Sequence, residues 1–369
     1  METGIGCAPR RYANPSARTH VCRLIIRTRV VKNAAPVATL SEYLELLESQ
    51  AEALIETEDE AAASLTERVR KMVDAFTRDL VTRWTIIVGD ALEATPDQAR
   101  RIRGIVATFI EQIKAVLGGV DPAPIAEMAL TLGVANAAAS GGLIGVPVAA
   151  APIVAGRLPR SLRSLVNSVV PSAIRRANRV QLVADTATTL DDMRTVAGMA
   201  KAVTRSVEMG ARTIVNAAHA DGVDMVARKN GWETVWRPER DACLDCLALA
   251  GVMSRGGVFP KGRTYRANGK AYAVPKGALT GPPLHPSCRC GTAPWSVEWT
   301  SDLGSLPDAL KREAQRSVIL GFALESESDA ARRKAAEKLL AADPALPKTV
   351  KSRARSAVRN RVPFATRIP

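Results

Sequence analysis

Apolar residues recur every three or four positions from residue 40 onward, a spacing that is typical of amphipathic helices. Thr39 and Glu42 fit a capping box, which predicts that a first helix begins there. A second helix is predicted to begin after Thr57, because Glu60 stands at the matching position. Its apolar stripe continues as far as Trp84.

A third helix is predicted from Thr95, which is followed by a proline and by Gln98 at the position that closes a capping box. This helix should end at the glycine pair that begins with Gly118, and Asp121 should open the next helix. The apolar stripes are packing faces, so this part of the chain is predicted to form a helical bundle.

The segment from Met128 to Gly156 contains no charged residue. Its length would allow a membrane span, but its glycines, prolines and alanines interrupt a helix and lower the hydrophobicity. We therefore favour a buried or interface-forming hairpin over a segment that enters a membrane. Helices are predicted to resume over residues 161–175 and again over 180–228.

The character of the sequence changes at Gly231. Residues 233–236 predict a short strand, and residues 251–281 hold nine glycines and prolines in a loop-like context. Short hairpin strands could come from the apolar residues Val258, Phe259, Tyr265, Tyr272 and Val274. Helix is predicted again from Ser305, including a charged stretch over 329–340.

Composition favours helices over sandwiches or barrels, because aromatic residues make up only 4% of the chain. The length of 369 residues suggests two or three domains. The net charge is +14, and it lies at the two ends. Residues 1–33 carry seven basic groups against one acidic group, and residues 331–369 carry eleven against two.

Cationic ends attract polyanions, above all nucleic acid, although disordered solubilising tails would have the same composition. Without interleaved aromatic residues, any such contact would be with phosphates rather than bases. Residues 1–33 contain no apolar core of the length found in signal peptides. We therefore expect no secretory signal and no disulfide for Cys7 and Cys22.

Four of the six cysteines and one of the three histidines fall into two short clusters. Cys243 and Cys246 form C-x-x-C, while His285, Cys288 and Cys290 belong to H-P-S-C-R-C. Each pair can occupy one edge of a tetrahedron, so the spacing predicts a Zn²⁺ site. A loop-rich module with little core of its own needs such a metal to stay folded.

Five candidate ligands compete for four places. We prefer the C-x-x-C pair together with His285 and Cys288, with Cys290 as the alternate for either of these two. Four protein ligands make a closed site, which is structural rather than catalytic. A redox-active or merely buried cysteine cluster is the alternative. The nearby carboxylates that could act as a general base at a catalytic zinc are Glu239, Asp241 and Asp245.

At these residues the chain resembles the phage Mu F protein-like family, the phage head morphogenesis or minor head proteins. The matching sequences are W-R-P-E-R-D-A-C-L-D-C-L-A-L-A-G at 236–251 and G-P-P-L-H-P-S-C-R-C at 281–290. The hallmark of the family is C-x-x-C some distance before P-P-x-H-P-x-C-R-C, and every one of those positions is matched. The resemblance covers roughly residues 170–293.

The resemblance implies a minor capsid protein of a tailed bacteriophage, present in few copies and acting in head assembly near the portal. Some members of the family act in DNA packaging or ejection. The implied partners are the portal and other head proteins, with DNA as a further partner of the basic termini. No small-molecule substrate, membrane partner or enzymatic activity is expected. The expected location is the capsid interior or portal region of the virion, and the host cytoplasm during assembly.

Two other functions compete with this one. The first is a zinc-dependent enzyme or toxin carried on a head-protein module, although the chain lacks H-E-x-x-H, a glycine-rich phosphate loop and G-x-S-x-G. The second is a zinc-containing nucleic-acid-binding protein. Its contacts would come from the basic residues of the module: Arg237, Arg240, Arg255, Lys261, Arg263, Arg266, Lys270 and Lys276.

Together these features predict a mainly α protein. A helical N-terminal body is followed by a small, loop-rich α+β module held by zinc and by a helical basic tail. The predicted parts are a basic, disordered segment (1–38), a helical domain (39–160), a Mu F-like head morphogenesis domain (161–300) with its Cys/His module at 231–293, and C-terminal helices with a basic tail (301–369).

Overall fold

Five long helices form most of the structure. The computed structural model describes residues 38–149, 151, 153, 156–239, 242–260, 266–267, 270–271, 279–285, 288–299, 305–320, 329–342 and 347–362. The long helices are α1 (Leu40–Val88), α2 (Pro96–Gly118), α3 (Ala123–Leu143), α4 (Arg160–Thr186) and α5 (Leu190–Lys229). The shorter elements are β1 (Glu233–Arg237), α6 (Leu244–Ala248), β2 (Arg266–Ala267), β3 (Lys270–Ala271), β4 (Gly291–Trp295), α7 (Leu306–Leu320), α8 (Asp329–Ala341) and α9 (Lys348–Arg359). The predicted fold class, mainly α with a small sheet, is confirmed.

Helix α1 is continuous over 49 residues. Its predicted start is confirmed, because the Thr39 side chain accepts from the Glu42 N–H and the Glu42 carboxylate accepts from the Thr39 N–H. The predicted break at Thr57 is wrong. Thr57 is buried, and its hydroxyl donates to the Ala53 carbonyl at 2.8 Å within the helix instead of capping a new one.

Helix α2 has the boundaries that the sequence predicts. Thr95 and Gln98 form a complete capping box at its start, where Pro96 is the first helical residue. The helix ends at Gly118, after which Gly119 is its C-terminal cap residue. Asp121 then accepts from the Ala123 N–H at the start of α3, as expected of a residue that opens a helix.

The predicted interruption of a helix by glycine is wrong, because α3 runs through three glycines as one helix to Leu143. The predicted hairpin is found in part, since the chain then reverses and Ala151 and Ile153 pack back on α3, beside Ala137 and Leu130. The glycines permit a close crossing with α5. A Cβ atom at Gly133 would lie 2.1 Å from the His219 carbonyl oxygen, and one at Gly222 would lie 2.3 Å from that of Leu130. Tight packing therefore maintains this helix despite its composition.

Among the described residues, no single helix has the length and apolar content to cross a membrane. In the described part of the chain, one pair of helices passes that test together, α2 and α3, which meet at a 44° bend.

Helices α1, α2, α4 and α5 surround one hydrophobic core. α4 continues past the predicted end at residue 175, and α5 begins at Thr189 with a capping box instead of at residue 180. α1 packs against α2 and α5, and α4 packs against the same two helices. Their shared core includes Val73, Phe109, Val180 and Val203. Thus α4 and α5, from the predicted 161–300 domain, pack with helices of the predicted 39–160 domain.

The small sheet of β1 and β4, which belongs to the Cys/His module, packs against the first turns of α1. β1, which confirms the predicted strand, pairs antiparallel with β4, so that Arg237 lies opposite Gly291. Val235 of β1 and Trp295 of β4 share a hydrophobic cluster with Tyr43 of α1. The Tyr43 hydroxyl also donates to the Pro294 carbonyl at 2.9 Å.

The predicted hairpin strands are found only in part. Val258 and Phe259 form isolated bridges with Arg255 and Leu279. The other three candidates, Tyr265, Tyr272 and Val274, lie outside the described residues, as does almost all of the N-terminal segment predicted to be disordered (1–38). The two-residue strands β2 and β3 form a hairpin in the sequence between Tyr265 and Tyr272.

The C-terminal helices confirm the predicted return to helix at residue 305 and the charged helix at 329–340. α7, α8 and α9 share a hydrophobic cluster with α6 through Leu247, Val318, Leu339 and Ala354. Because α6 carries the C-x-x-C pair, the C-terminal helices support the cysteine module directly.

Candidate metal centre

The first pair of cysteines lies at the start of a short helix. The chain leaves β1 and turns into α6, of which Cys243 is the N-terminal cap residue. Its sulfur accepts from the Cys246 N–H at 3.5 Å. One helical turn separates the two cysteines, so both thiols lie on the same side of α6.

The second cluster reaches the first through the strand pairing. The Cys288 N–H donates to the His285 carbonyl at 3.0 Å, which closes a turn between these two residues. Cys290 directly precedes β4, whose partner β1 leads into the first cluster. The pairing of β1 with β4 therefore brings together residues about forty positions apart in sequence.

The distances between donor atoms fit the edges of a zinc tetrahedron. Cys243 Sγ lies 3.1 Å and Cys246 Sγ 3.6 Å from His285 Nε2, and Cys246 Sγ lies 3.6 Å from Cys288 Sγ. Zn–S bonds of about 2.3 Å and Zn–N bonds of about 2.0 Å imply edges of roughly 3.8 Å between sulfurs and 3.5 Å between sulfur and nitrogen. The residues therefore fit such an ion with little movement.

The structure brings all five predicted ligands together. They form two overlapping groups that could each hold a metal, and Cys246 belongs to both: Cys243, Cys246 and His285, and Cys246, Cys288 and Cys290. Within each group the ligand atoms lie within 4.8 Å of one another. Cys246, Cys288 and Cys290 are at most 3% exposed, while Cys243 and His285 are half-buried. Thiolate and imidazole donors of this kind suit soft or borderline metal ions.

Hydrogen bonds within the cluster favour loss of protons from two of the thiols. The pKa of Cys243 is lowered to about 4, chiefly by its hydrogen bond with Cys246 and further by His285. The pKa of Cys288 is also far below its usual range, again chiefly because of Cys246. The pKa of Cys246 is raised, since it is the donor to both neighbours. Thiolates preformed in this way are the ligand state that a metal requires.

A buried ion pair lies beside the cluster. Arg237 is 6% exposed and Glu239 is 8% exposed, and their side chains lie 3.1 Å apart. Arg237 also donates to the Leu47 carbonyl of α1 at 2.8 Å. The sequence suggested Arg237 as a nucleic-acid contact, and its burial in this ion pair contradicts that suggestion. Glu239, suggested as a general base, is held by Arg237 in the same pair.

Glu58 of α1 is a residue that the sequence analysis did not single out. Its side chain is fully buried, and neither carboxylate oxygen accepts a hydrogen bond of normal geometry. Burial raises its pKa to about 8, opposed by the charges of Arg289 and Arg212. Arg289 lies between the candidate ligands Cys288 and Cys290. Its charge interaction with Glu58 therefore connects α1 to the segment that carries these two cysteines. The sequence did contain a signal for this burial, because Glu58 lies within the apolar stripe of a helix, where a charged residue is unusual.

His219 is packed in the helical body, as expected for a lone histidine in a helix. It is 2% exposed, and its Nε2 lies 2.9 Å from the Asn136 side-chain nitrogen on α3. Burial lowers its pKa to about 3, and the charge of Arg237 adds to the effect. His219 belongs to neither group of candidate metal ligands.

In comparisons with protein families, curated proteins and solved structures, no match to this chain was found. The chemistry of the metal centre therefore follows from its own donor atoms, their spacing and their burial.

Proposed function

We propose that this chain is a minor head protein of a tailed bacteriophage, and that its Cys/His cluster is a structural zinc site. One observation carries the proposal. The two halves of the C-x-x-C and P-P-x-H-P-x-C-R-C pattern, which the chain shares with the Mu F-like proteins, lie at ligand distances around Cys246.

Zinc suits the donor set and the burial of the site. Three thiolates and an imidazole are among the commonest ligand sets of structural zinc. The hydrophobic cluster around the site is small, and the cysteines themselves make up much of it, beside Trp236, Leu249 and Phe259. A module with so few apolar residues gains a large part of its folding free energy from a bound metal.

A structural role is favoured over catalysis. The two groups together offer four cysteines and a histidine, and a site closed by four of these ligands leaves no position for a water molecule or a substrate. Glu239, the buried carboxylate suggested as a base, pairs with Arg237. The proposed role is therefore to hold together the part of the module around the ligands during head assembly, where the portal and other head proteins are the partners.

Metal analysis of the purified chain tests the zinc site. We expect about one equivalent of zinc per chain. Cys246→Ser should release the metal and unfold the module, because Cys246 belongs to both ligand groups. Cys22→Ser is the matched control, since Cys22 lies outside both clusters, and it should retain the metal. A chain without metal that remains fully folded would contradict this part of the proposal.

Location tests the head role separately from the metal. Mass spectrometry of purified virions should detect the chain at low copy number, and cross-linking should connect it to the portal protein. Its absence from virions, with zinc still bound, would reject the head role and leave the metal site intact.

The basic C-terminal tail is the proposed contact with DNA. The described residues 347–362 contain six basic side chains and no acidic one. The apolar side of α9, including Ala354, packs on the cluster shared with α7 and α8, while Arg355 and Arg359 are exposed. This arrangement leaves positive charge along the outer side of the helix, where it can follow phosphates.

Salt-dependent DNA binding tests this contact. Arg355→Gln with Arg359→Gln should reduce the slope of log affinity against log salt by about 1.8, since each lost phosphate contact in duplex DNA accounts for about 0.9. Arg101→Gln with Arg205→Gln, which are exposed positions on α2 and α5, should leave the slope unchanged. If both double variants reduce the slope equally, the salt dependence reflects net charge in general and not a contact of α9 with DNA.

A further inference from the structure

A cleft with a volume of about 330 Å³ lies beside the N-terminus of α4. Residues of α3, α4, α5 and the segment before α4 line it. Its floor is apolar and is formed by the side chains of Leu130, Ile153, Leu158 and Met225. Leu130 is 2% exposed and Leu158 is 8% exposed, and both belong to one hydrophobic cluster, which fixes this part of the floor.

Three arginines line the same cleft: Arg157, Arg160 and Arg163. All three are exposed. Arg163 donates to the Leu158 carbonyl at 3.1 Å, which holds its guanidinium beside the floor. Within the part of the chain that the structure describes, no ion pair joins Arg157 or Arg160 to an acidic side chain. The cleft therefore combines an apolar floor with two arginines that form no ion pair among the described residues.

The start of α4 adds to this positive potential. Its N-terminal cap residue is Pro159, whose own side chain accepts no hydrogen bond from the first turn. The N–H groups of such a turn and the helix dipole favour an anion nearby. Three carboxylates lie near the cleft: Asp221 accepts from the Ser161 hydroxyl, Glu127 accepts from the Gly156 N–H, and Asp224 pairs with Arg228.

We propose that this cleft binds a segment of a partner protein in which a carboxylate is adjacent to an aliphatic side chain. The carboxylate lies between Arg157 and Arg160, and the aliphatic group rests on Leu130 and Met225. Arginine suits this task because its guanidinium can donate two parallel hydrogen bonds to one carboxylate.

The shape and lining of the cleft favour a peptide over other anions. A volume near 330 Å³ is at the small end of ligand sites, enough for one or two side chains and too small for a long acyl chain. No aromatic side chain lines it, so it offers no surface on which a nucleotide base could stack. The proposal depends neither on the metal centre nor on the head role, and so goes beyond both.

A defined peptide series tests the proposal on the full chain. The probe is acetyl-Gly-Ser-Gly-Leu-Leu with a free C-terminal carboxylate. The comparison peptides are its C-terminal amide and the analogue in which serine replaces both leucines. Binding is followed through the ¹³C-methyl signals of the methionines, where Met225 reports on the cleft and Met72 on α1 is the internal reference.

We expect the carboxylate peptide to shift the Met225 signal and not that of Met72. The amide should bind about tenfold more weakly, because it forfeits charge-assisted hydrogen bonds to the arginines. The serine analogue should also lose affinity. Arg157→Gln with Arg160→Gln should abolish the difference between acid and amide, while Arg176→Gln with Arg179→Gln, on the same helix but outside the cleft, should preserve it.

Three results would overturn the proposal. These are the absence of any Met225 shift, equal binding of acid and amide, or equal loss of binding in both pairs of arginine variants. A Met225 shift produced by phosphatidylglycerol vesicles but not by the peptide would assign the cleft to lipid instead.

Discussion

At the scale of single residues, Glu58 of α1 is a buried carboxyl group that interacts electrostatically with Arg289, which lies between the candidate ligands Cys288 and Cys290. Cys243 and His285 are recognisable because cysteine and histidine are rare in this chain and occur at ligand spacing. Glu58 and Arg289 resemble ordinary surface charges in the sequence. Only the packing of α1 against the module shows that one of them is fully buried and faces the other.

Glu58 makes the stability of the protein dependent on pH. Its pKa is raised from 4.5 to about 8 in the folded chain. Below about pH 4.5 this residue is protonated in both folded and unfolded chains, so it adds nothing to the pH dependence of stability. Between about pH 4.5 and 8 the unfolded chain loses the proton while the folded chain keeps it, so stability falls as the pH rises.

Glu58→Gln should therefore stabilise the protein under alkaline conditions, since it removes a buried group that ionises. The expected gain in free energy of unfolding is small near pH 5 and rises to about 5 kcal/mol above about pH 8. Denaturant unfolding across this pH range measures it. Glu60→Gln, at an exposed position on the same helix, is the control and should show no such dependence. A stability difference that does not change with pH would reject a titrating Glu58.

At the scale of secondary-structure elements, close packing overrides local preference where α3 crosses α5. Gly133 and Gly222 let the two backbones approach until a side-chain atom at either position would overlap a carbonyl oxygen. Van der Waals attraction between the closely packed helices offsets the low helix propensity of glycine. The effect of glycine on a helix therefore depends on packing: α2 ends at Gly118, whereas α3 continues through Gly133.

Gly222→Ala should destabilise the protein by about 3 kcal/mol or more, because its Cβ would lie 2.3 Å from a backbone oxygen of α3 that cannot move freely. Gly198→Ala is the matched control on the same helix, with no atom within 4 Å of its new Cβ. It should stabilise the protein by up to about 1 kcal/mol, through helix propensity. Thermal or denaturant unfolding of both variants separates the two effects, and an equal response would contradict a close crossing.

The distinction between local signals and tertiary packing explains which secondary-structure elements the sequence could predict. Capping boxes at Thr39 and Thr95 are local signals, and both helix starts are confirmed. Strand β4 was not predicted, because Gly-Thr-Ala-Pro-Trp neither alternates nor favours a strand, and it is extended only through its pairing with β1. The break predicted at Thr57 failed because burial on the helical face decided the role of that hydroxyl.

At the scale of the whole molecule, the metal module and the helical body share their core. Residues 34–369 form one compact unit. Val235 and Trp295 of the sheet are buried in a cluster with Tyr43 and Leu47 of α1. Arg237 is bonded to the backbone of α1 as well. The proposed zinc ion therefore holds together only the part of the module around the ligands, while α1 provides the surface that buries the sheet.

An isolated fragment of residues 231–299 should consequently remain unfolded even when zinc is supplied. The ligands would all be present, but Val235, Ala293 and Trp295 would lose the apolar surface of α1 that covers them. The measurement is the amide ¹H–¹⁵N spectrum of the fragment with zinc, for which we expect narrow dispersion. Full-length chain with zinc should show protection from hydrogen exchange in both β1 and the first turns of α1, and chelation should weaken it at both places together. A zinc-loaded fragment with a well-dispersed spectrum would mean that the module folds independently and that α1 is only its neighbour.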